Sequence, residues 1–359
     1  MTSDTPRGLH GVRRLLVRMP NWVGDVVMAT PTLRALRTAL PDAEIVLACK
    51  RYVAPLIGGH PDADRLLVLE EHEERGLRGW WRVARRVRAQ TFDAVLLLTN
   101  SLSSVIPVFL ARVPRRIGYT GDGRGPLLTD RLGPELSKGK RVPTPMPVYY
   151  QRLLDLVGVA SVGVEYVLPS RDGAREGVRA LFGRLGRDPG RPLVGLNPGA
   201  RFGSSKLWPP ARFGELAREL IARGLQPVLL CGPGETEIAA EIRAEAGDDL
   251  LDTSATPIGL DVLPAAMREL DLLVSTDSGP RHVAVAGGCP VVVVMGSTWP
   301  EWTAWNLERT RVVRHAVDCG PCHLKTCPTD HRCMNLVTVS EVMAAVAALL
   351  PGTEAPSEG

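Results

Sequence analysis

The sequence predicts an α/β protein made of two doubly wound domains that face a central cleft. With 359 residues, the chain is more than twice as long as a typical domain of about 150 residues. Short apolar runs of strand length alternate with longer segments of helical period, and this alternation occurs twice, on either side of a Gly-, Arg- and Pro-rich stretch at 183–192. We therefore expect domains at 1–182 and 183–350, a last helix that could pack back on the first domain, and a disordered tail at 351–359.

The first series begins with an apolar run at 14–18, which predicts a strand, and continues with a helical pattern at 24–40. Apolar runs at 44–48 and 94–98 predict two further strands of a parallel sheet. The stretch 118–125 contains G-x-G-x-G, but no clear strand precedes it and a proline follows. We therefore predict a loop there and not a dinucleotide-binding turn.

The second series repeats the pattern after the linker, with prolines near the starts of its helical segments. The predicted strands lie at 193–196, 227–231, 272–275 and 291–295, and the predicted helices at 209–222, at 235–246 and from Pro280 onwards. In open parallel sheets, ligands bind beyond the carboxyl ends of the strands, so the cleft is the expected binding site.

The composition is that of a globular protein, with 45% hydrophobic and 23% charged residues, and it excludes a disordered or fibrous chain. No apolar run reaches the roughly 18 residues needed to span a bilayer. Residues 1–14 lack the apolar core of a signal peptide, so we expect a cytoplasmic protein. In that compartment, seven cysteines indicate reduced thiols or a metal site and not a disulfide framework.

The charge divides unevenly between the two halves of the chain. Residues 1–180 contain 27 Arg and Lys against 18 Asp and Glu, whereas residues 181–359 contain 16 against 21. The basic first half could face an anionic lipid, a membrane surface or a nucleic acid. Solvated helix faces are the alternative, with Arg82, Arg85, Arg86 and Arg88 as the example.

The segment 19–25, M-P-N-W-V-G-D, lies where the first strand turns into the first helix. Side chains at this place in a parallel sheet face the ligand crevice, so Asp25 is a candidate functional carboxylate. The alternative is a helix-capping or helix-dipole role for Asp25, which stabilises by about 0.3 to 1 kcal/mol.

The loop 197–209, N-P-G-A-R-F-G-S-S-K-L-W-P, joins a predicted strand to a predicted helix. Gly199 permits close backbone approach, Ser204 and Ser205 offer hydroxyls, and Lys206 is one of only five lysines in the chain. This combination suits a diphosphate, although the P-loop spacing is absent. A plain connecting loop is the alternative.

The segment 275–282, S-T-D-S-G-P-R-H, again connects a strand to a helix. The N–H groups of Ser278 and Gly279 at the helix start suit phosphate oxygens. A histidine such as His282 is more often packed or capping, but Asp277 and Gly279 beside it favour a functional site.

Four cysteines follow the second series, with the spacing C-x₂-C-x₄-C-x₅-C. They are Cys319, Cys322, Cys327 and Cys333. Four thiols within fifteen residues approach the density of a structural zinc site, although the loops are tighter than usual. A locally packed or redox-sensitive loop is the alternative.

Together, the N-W-V-G-D entry, the N-P-G-A…K-L-W-P loop and the D-S-G-P-x-H turn resemble the lipopolysaccharide heptosyltransferases, glycosyltransferase family nine, and its type II branch most. The cysteine segment resembles the C-terminal segment of many members. The resemblance implies a GT-B fold of two Rossmann-like domains, with the acceptor on the first and the ADP-sugar on the second. It also implies an inverting, metal-independent transfer of L-glycero-D-manno-heptose from ADP-heptose to the lipopolysaccharide inner core, without a cofactor.

The resemblance also assigns residues by their positions in these motifs. Asp25 matches the proposed catalytic base and Lys206 the diphosphate-contacting lysine. The implied donor-binding residues are Asn197, Gly199, Ser204, Ser205, Lys206, Asp277, Ser278, Gly279 and His282, and the acceptor-side residues are Asn21, Trp22 and Gly24. Glu235 is the match for a ribose-binding acid, with Glu237 as its competitor.

The implied partners are ADP-heptose, an anionic inner-core acceptor and, peripherally, the inner face of the cytoplasmic membrane, with no nucleic acid. A related glycosyltransferase using another nucleotide sugar, a sugar-nucleotide epimerase on the same fold, and a binding protein without catalysis are the alternatives. An inverting transfer needs a base at the acceptor hydroxyl and charge stabilisation for the departing ADP, which Asp25 and Lys206 could supply.

Overall fold

The structure is a computed structural model that describes residues 8–74, 76–137, 140–163, 165–169, 171–304 and 307–350. The expected disordered tail at 351–359 lies outside the described residues. The chain divides into two compact units, Met1–Pro169 with Glu301–Thr303, and Ser170–Pro300 with Ala304–Gly359. The division precedes the expected boundary at 182/183, because Arg175 and Arg179 tie the next helix to Glu269 of the second unit.

The first unit is a parallel sheet with helices, followed by a short antiparallel pair. Its strands are β1 (Arg14–Arg18), β2 (Glu44–Lys50), β3 (Arg65–Leu69), β4 (Ala94–Leu97), β5 (Arg115–Tyr119), β6 (Asp130–Leu132) and the pair β7 (Leu136–Ser137) and β8 (Lys140–Arg141). Its helices are α1 (Val23–Met28), α2 (Thr30–Ala39), α3 (Ala54–Ile57), α4 (Gly76–Arg88), α5 (Leu102–Leu110) and α6 (Met146–Asp155). The strand order of the sheet is β3-β2-β1-β4-β5-β6.

The second unit repeats this architecture. Its strands are β9 (Leu193–Asn197), β10 (Gln226–Leu229), β11 (Leu251–Asp252), β12 (Leu272–Thr276), β13 (Val291–Val294) and β14 (Thr310–Val313). Its helices are α7 (Ala174–Arg184), α8 (Pro210–Ala222), α9 (Thr236–Ala246), α10 (Leu263–Met267), α11 (Gly279–Ala286), α12 (Arg332–Asn335) and α13 (Val339–Leu349). The order β11-β10-β9-β12-β13-β14 matches that of the first sheet, strand for strand.

The central strands are buried along almost their whole length, because helices cover both faces of a doubly wound sheet. β13 consists of four buried valines, and β12 pairs with it in parallel, Val274 opposite Val292. In the first sheet, Val17 of β1 lies between Leu47 of β2 and Leu96 of β4. In this order, β1 lies beside β4, and β9 lies beside β12. At each of these two places the chain connections of the neighbouring strands run in opposite directions. Ligands bind at such places, beyond the carboxyl ends of the strands.

Two expectations for single elements differ from the structure. The predicted helix at 24–40 is broken between α1 and α2, because Pro31 lies in the first turn of α2 and has no N–H for a continuous helix. The predicted loop at 118–125 begins inside a strand, β5.

The last helix, α13, packs in the core of the second unit. Val342, Met343 and Val346 are buried in the same cluster as Leu196 and Leu216, so the apolar stripe of α13 is satisfied within its own unit. Thr338 and Glu341 cap the start of α13 reciprocally. Within the described residues, none of the helices is long and apolar enough to cross a membrane.

Candidate active site

The carboxyl ends of β9 and β12 are tied together by side-chain hydrogen bonds. The buried amide of Asn197 donates to the hydroxyls of Ser275, at 3.1 Å, and Ser278, at 2.9 Å. The hydroxyl of Thr276 donates to the backbone carbonyl of Gly199 at 2.7 Å. Asn197, expected to contact the donor, therefore fixes the two loops that follow these strands relative to each other.

A buried ion pair between Lys206 and Asp277 lies at this edge. Lys206 Nζ is 2.6 Å from Asp277 Oδ2 and donates to the Asp277 carbonyl oxygen at 3.1 Å. The ammonium also lies 5.1 Å from the centroid of the Phe202 ring. Lys206 and Asp277 thus form an ion pair, although they lie in separate loops about seventy positions apart in the sequence.

Two further side chains complete the surroundings of Asp277. Arg281 Nη2 is 3.0 Å from Asp277 Oδ1, and the Thr298 hydroxyl donates to Asp277 Oδ2 at 2.6 Å. Burial by itself would raise the pKa of Asp277, but Arg281 and Lys206 outweigh it and hold that pKa far below its ordinary value. The carboxylate is therefore ionised at neutral pH and keeps both cations at the edge of the sheet.

Arg281 and Thr298 were not predicted as site residues, although the sequence contains signals for both. Arg281 lies four positions after Asp277, the spacing that joins side chains on one helix face. Thr298 follows β13, whose carboxyl end lies beside that of β12.

Helix α11 starts at this edge, and the N–H groups of its first turn have no carbonyl partner within the helix. Ser278 is the N-cap residue in an extended conformation, and Gly279 is the first helical residue. His282 is buried in the first turn, and burial, together with the charge of Arg281, lowers its pKa well below the ordinary value. The imidazole is therefore neutral at pH 7, and the positive charge of this edge comes from Lys206, Arg281 and the helix dipole.

The two candidate ribose acids occupy different environments. Glu235 Oε2 accepts from the Gly232 N–H at 2.7 Å, and the side chain lies so close to Gly199 that a Cβ at that glycine would be 1.8 Å from Glu235 Oε1. Glu237 is exposed on the first turn of α9. The structure thus places Glu235 at the edge that holds Asp277, and Glu237 on the outer surface of its helix.

The loop that carries Lys206 is held by a segment from much later in the chain. Gly203 has φ +155° and lies against the carbonyl of Lys325, where a Cβ would come within 2.2 Å. Ser205 N donates to the same carbonyl at 3.0 Å, the Ser205 hydroxyl donates to Leu324 O, and His331 Nε2 lies 3.0 Å from Ser205 O. The Ser205 hydroxyl thus holds the loop in place, and its contact with the donor stays a prediction.

Ser204, the neighbouring candidate, is exposed, so its hydroxyl is accessible from solvent.

In the first unit, Asp25 lies in the first turn of α1, at the carboxyl end of β1. Its charge acts on Tyr150, whose pKa is raised by burial and further by Asp25, so the two groups are close. Asn21 accepts from Arg18 Nη2 at 3.2 Å. Trp22 is the N-cap residue of α1 and is 43% exposed, which leaves an aromatic surface beside Asp25.

Gly24, the remaining acceptor-side candidate, is buried in α1.

The four clustered cysteines line one cavity of about 100 Å³ together with Ser205. Burial raises the pKa of the Cys333 thiol, and the other three thiols raise it further. In the part of the chain that the structure describes, however, no group of three or more His, Cys, Asp or Glu side chains is arranged to hold a metal ion. The thiols as placed are neighbours but not a ligand set, and a structural zinc stays a prediction.

Solved structures match this fold over almost the whole chain. A glycosyl transferase family 9 protein from Veillonella parvula superposes with a TM-score of 0.80 at 22% identity, covering 94% of this chain and 97% of that one. The ADP-heptose lipopolysaccharide heptosyltransferase II of E. coli superposes with a TM-score of 0.75 at 26% identity, covering 95% of this chain and all of the other. The two doubly wound units thus define the GT-B class of glycosyltransferases.

Sequence comparison narrows the class to one family. Residues 80–332 match the model of glycosyltransferase family 9 (heptosyltransferase). Lipopolysaccharide heptosyltransferase 2 of Salmonella typhimurium is 29% identical over 318 residues, which cover 84% of this chain and 88% of that protein. The chain belongs to glycosyltransferase family 9, the heptosyltransferase family, and is therefore a glycosyltransferase.

Proposed function

We propose that this enzyme is an inverting, metal-independent transferase that moves L-glycero-D-manno-heptose from ADP-heptose to the inner core of lipopolysaccharide, as heptosyltransferase II does. The observation that carries the proposal is the buried Lys206–Asp277 pair beside the start of α11, in a chain of the heptosyltransferase family. The curated relatives named heptosyltransferase 2 support this acceptor class.

The donor would bind at the carboxyl edge of the second sheet. Lys206 and the N–H groups at the start of α11 would face the diphosphate, and Glu235 would accept from a ribose hydroxyl. As the sugar carbon loses its bond to the ADP oxygen, negative charge grows on the diphosphate, and fixed cations stabilise that charge without reorganisation. Asp277 would keep Lys206 in place for this task.

The acceptor hydroxyl would lose its proton to Asp25 of the first unit. An inverting displacement needs a base on the side opposite the leaving group, and a carboxylate at hydrogen-bond distance is suited to that task. Lys206 and the helix start supply the positive charge that a metal ion supplies in other transferases, so no cofactor is required. Activity should therefore survive EDTA; abolition by EDTA with recovery on adding Mg²⁺ or Mn²⁺ would contradict this part.

The cellular setting follows from the substrates. The proposed acceptor is anionic and membrane-anchored, so we expect the enzyme in the cytoplasm, peripherally at the inner membrane. The basic first half of the chain supports this setting. A structural zinc at the cysteine segment is part of the proposal only as a stabilising element. Elemental analysis of protein purified without added metal should find about one zinc per chain, and a negligible content would eliminate the zinc.

The deciding experiment mixes the enzyme with ADP-heptose in the presence and absence of a heptose-deficient inner-core acceptor. We expect ADP release and a heptosylated product only when the acceptor is present. Conversion of the donor without an acceptor would indicate an epimerase, and binding without ADP release would indicate a non-catalytic protein. Transfer from a different nucleotide sugar, in preference to ADP-heptose, would overturn the donor assignment.

A further inference from the structure

Helix α4 turns a basic and aromatic face away from the first unit. Leu77 is 79% exposed and Trp81 54% exposed, on successive turns of the helix. Four arginines lie on the same side. We call this surface the outer face of α4; its members are Leu77, Arg78, Trp81, Arg82, Arg85 and Arg88. At 100° per residue these positions fall within an arc of about 140°, so they form one surface.

The opposite face fixes the orientation of this helix. Val83, Ala84 and Val87 are buried in the core of the first unit. At the border of the outer face, Arg86 pairs with Glu73 and donates to the Val68 carbonyl at 2.8 Å. Because these contacts anchor α4, the outer face cannot turn inward to bury its tryptophan.

The charge on the outer face is not balanced locally. Among the described residues, no carboxylate forms an ion pair with Arg78, Arg82, Arg85 or Arg88, whereas Arg86 has Glu73. A purely solvated helix face normally alternates acids with bases at i,i+4, which α4 does not do between Gly76 and Arg88. The exposed indole of Trp81 and the arginines around it would suit a partner that has an anionic layer next to an apolar layer.

We propose that the outer face of α4 docks on an anionic lipid bilayer. Trp81 and Leu77 would enter the boundary between headgroups and acyl chains, and the arginines would contact lipid phosphates, each worth about 1 kcal/mol near the surface. A nucleic acid would engage the arginines but has no apolar layer for Leu77. The inference rests on the proposed function only for the expectation that the acceptor lies in a membrane.

The test is co-sedimentation of the full chain with vesicles of phosphatidylcholine alone or mixed with phosphatidylglycerol. We expect binding to the anionic vesicles, and its loss near 1 M salt, where the Debye length falls to about 3 Å. Arg82→Glu should weaken that binding by about fivefold or more, since about 1 kcal/mol per arginine is lost and repulsion is added. Trp81→Ala should weaken it as well.

The matched control is Arg184→Glu, an exposed arginine at the end of α7 with the same change of charge. It should bind vesicles as the unaltered protein does, and melting curves should show all three variants folded. Equal binding by Arg82→Glu and the unaltered protein, equal binding to neutral vesicles, or retention by RNA but not by vesicles would overturn the proposal.

The transferase reaction is measured separately, with a deacylated, water-soluble acceptor. The α4 variants should transfer to this acceptor at the unaltered rate, because the outer face contacts only lipid. If Arg82→Glu lost transfer to this water-soluble acceptor, α4 would belong to the acceptor-binding site, and its proposed role in membrane docking would be overturned. If the unaltered protein does not transfer at all but still binds anionic vesicles, the proposed function fails and the docking surface stands.

Discussion

The two units share a strand order but engage their buried charged groups differently at equivalent places. In the first unit, the buried groups at the edge between β1, β4 and β5 are the cations Arg18 and Arg124, which donate to backbone carbonyls. In the second unit, the buried groups include both the anion Asp277 and the cation Arg281, and Asp277 pairs with Lys206 as well. One topology therefore produces an edge whose buried arginines are engaged with backbone carbonyls in one unit, and an edge where two cations share one carboxylate in the other.

Arg124 shows how the first edge is made rigid. It is fully buried, and its guanidinium donates to the carbonyls of Tyr119, at 2.7 Å, and Thr99, at 2.5 Å. Gly118 leaves the room for it, since a Cβ there would lie 3.2 Å from Arg124 Nη2. The donors of this arginine are engaged with loops of its own unit, which suits a scaffold for Asp25 better than an anion site.

The largest expected effect is the loss of turnover on replacing Asp25 in the first unit, without a matching loss of donor binding in the second unit. Asp25→Asn should reduce turnover by roughly 10² to 10⁴, because the base is lost, and leave donor affinity nearly unchanged. The melting temperature should fall little, since asparagine also suits a helix start and a dipole contact is worth at most about 1 kcal/mol. Turnover, ADP-heptose affinity and melting are measured on one preparation; near-normal turnover would mean that Asp25 only stabilises α1.

Removing the central anion of the second unit should cost the most stability. Asp277→Asn leaves Lys206 and Arg281 without their carboxylate, and breaking a buried pair in this way typically costs about 3 to 5 kcal/mol. Asp62→Asn is the control in the first unit, since Asp62 is equally buried but pairs with the largely exposed Arg34. Urea unfolding should show the larger loss for Asp277→Asn, and equal losses would contradict the contrast between the units.

Loss of the Lys206 ammonium should affect donor binding more than the stability of the fold. Lys206→Ala should raise the KM for ADP-heptose by roughly tenfold to a hundredfold, the range for a lost hydrogen bond to a charged group. Lys206→Arg should restore only part of the affinity for ADP-heptose, because a planar guanidinium does not replace a compact ammonium. Steady-state kinetics decide, and an unchanged KM in Lys206→Ala would remove the diphosphate role.

The ribose contact is tested by three neighbouring variants. Glu235→Gln should weaken ADP binding by roughly fivefold to tenfold, a charged hydrogen bond replaced by a neutral one, while the exposed Glu237→Gln should not change it. Gly199→Ala should mimic Glu235→Gln, because its Cβ would displace that carboxylate. Titration calorimetry with ADP measures all three, and a stronger effect at Glu237 would reverse the assignment.

The smallest effect concerns pH, and both units contribute. Burial lowers the pKa of His60 and, more strongly, of His282, so both are neutral in the folded protein while the unfolded chain protonates near pH 6.5. The contribution of each neutral histidine to the free energy of unfolding is therefore complete above about pH 6.5. As the pH falls below that value the contribution decreases, by at most about 1.4 kcal/mol per histidine at about pH 5.5. His282→Gln should flatten this decline more than His60→Gln in unfolding curves at both pH values.

The sequence predicted the parts of the fold that depend on local pattern. β1 was placed correctly at 14–18, and the valine run of β13 was recognised, because buried parallel strands are continuously apolar. β5 was missed, since its residues Arg115–Tyr119 contain two arginines and a glycine and resemble a loop. The sequence left the packing of α13 open, because an apolar stripe does not specify which core a helix enters.

The candidate site was predictable only where a motif contained it. Lys206 and Asp277 each stood in a Gly- and Ser-rich loop at a strand end, so each was singled out. The direct contact of Lys206 with Asp277, and the part played by Thr298, depend on distances between separate loops, which spacing along the chain does not encode. The hydrogen bond from the Ser205 hydroxyl to the Leu324 carbonyl could not be predicted for the same reason, and a donor contact of Ser205 stays a prediction.

The bond between Ser205 and the segment at 324–325 also has a consequence for protein engineering. The second sheet is complete at Val313, so a version of the protein truncated soon after that strand would retain every strand of β9–β14. It would nevertheless lose the two carbonyls that hold Ser205, and with them the anchorage of the neighbouring lysine. Shortened or permuted forms of this enzyme need the cysteine segment even where their sheets are intact.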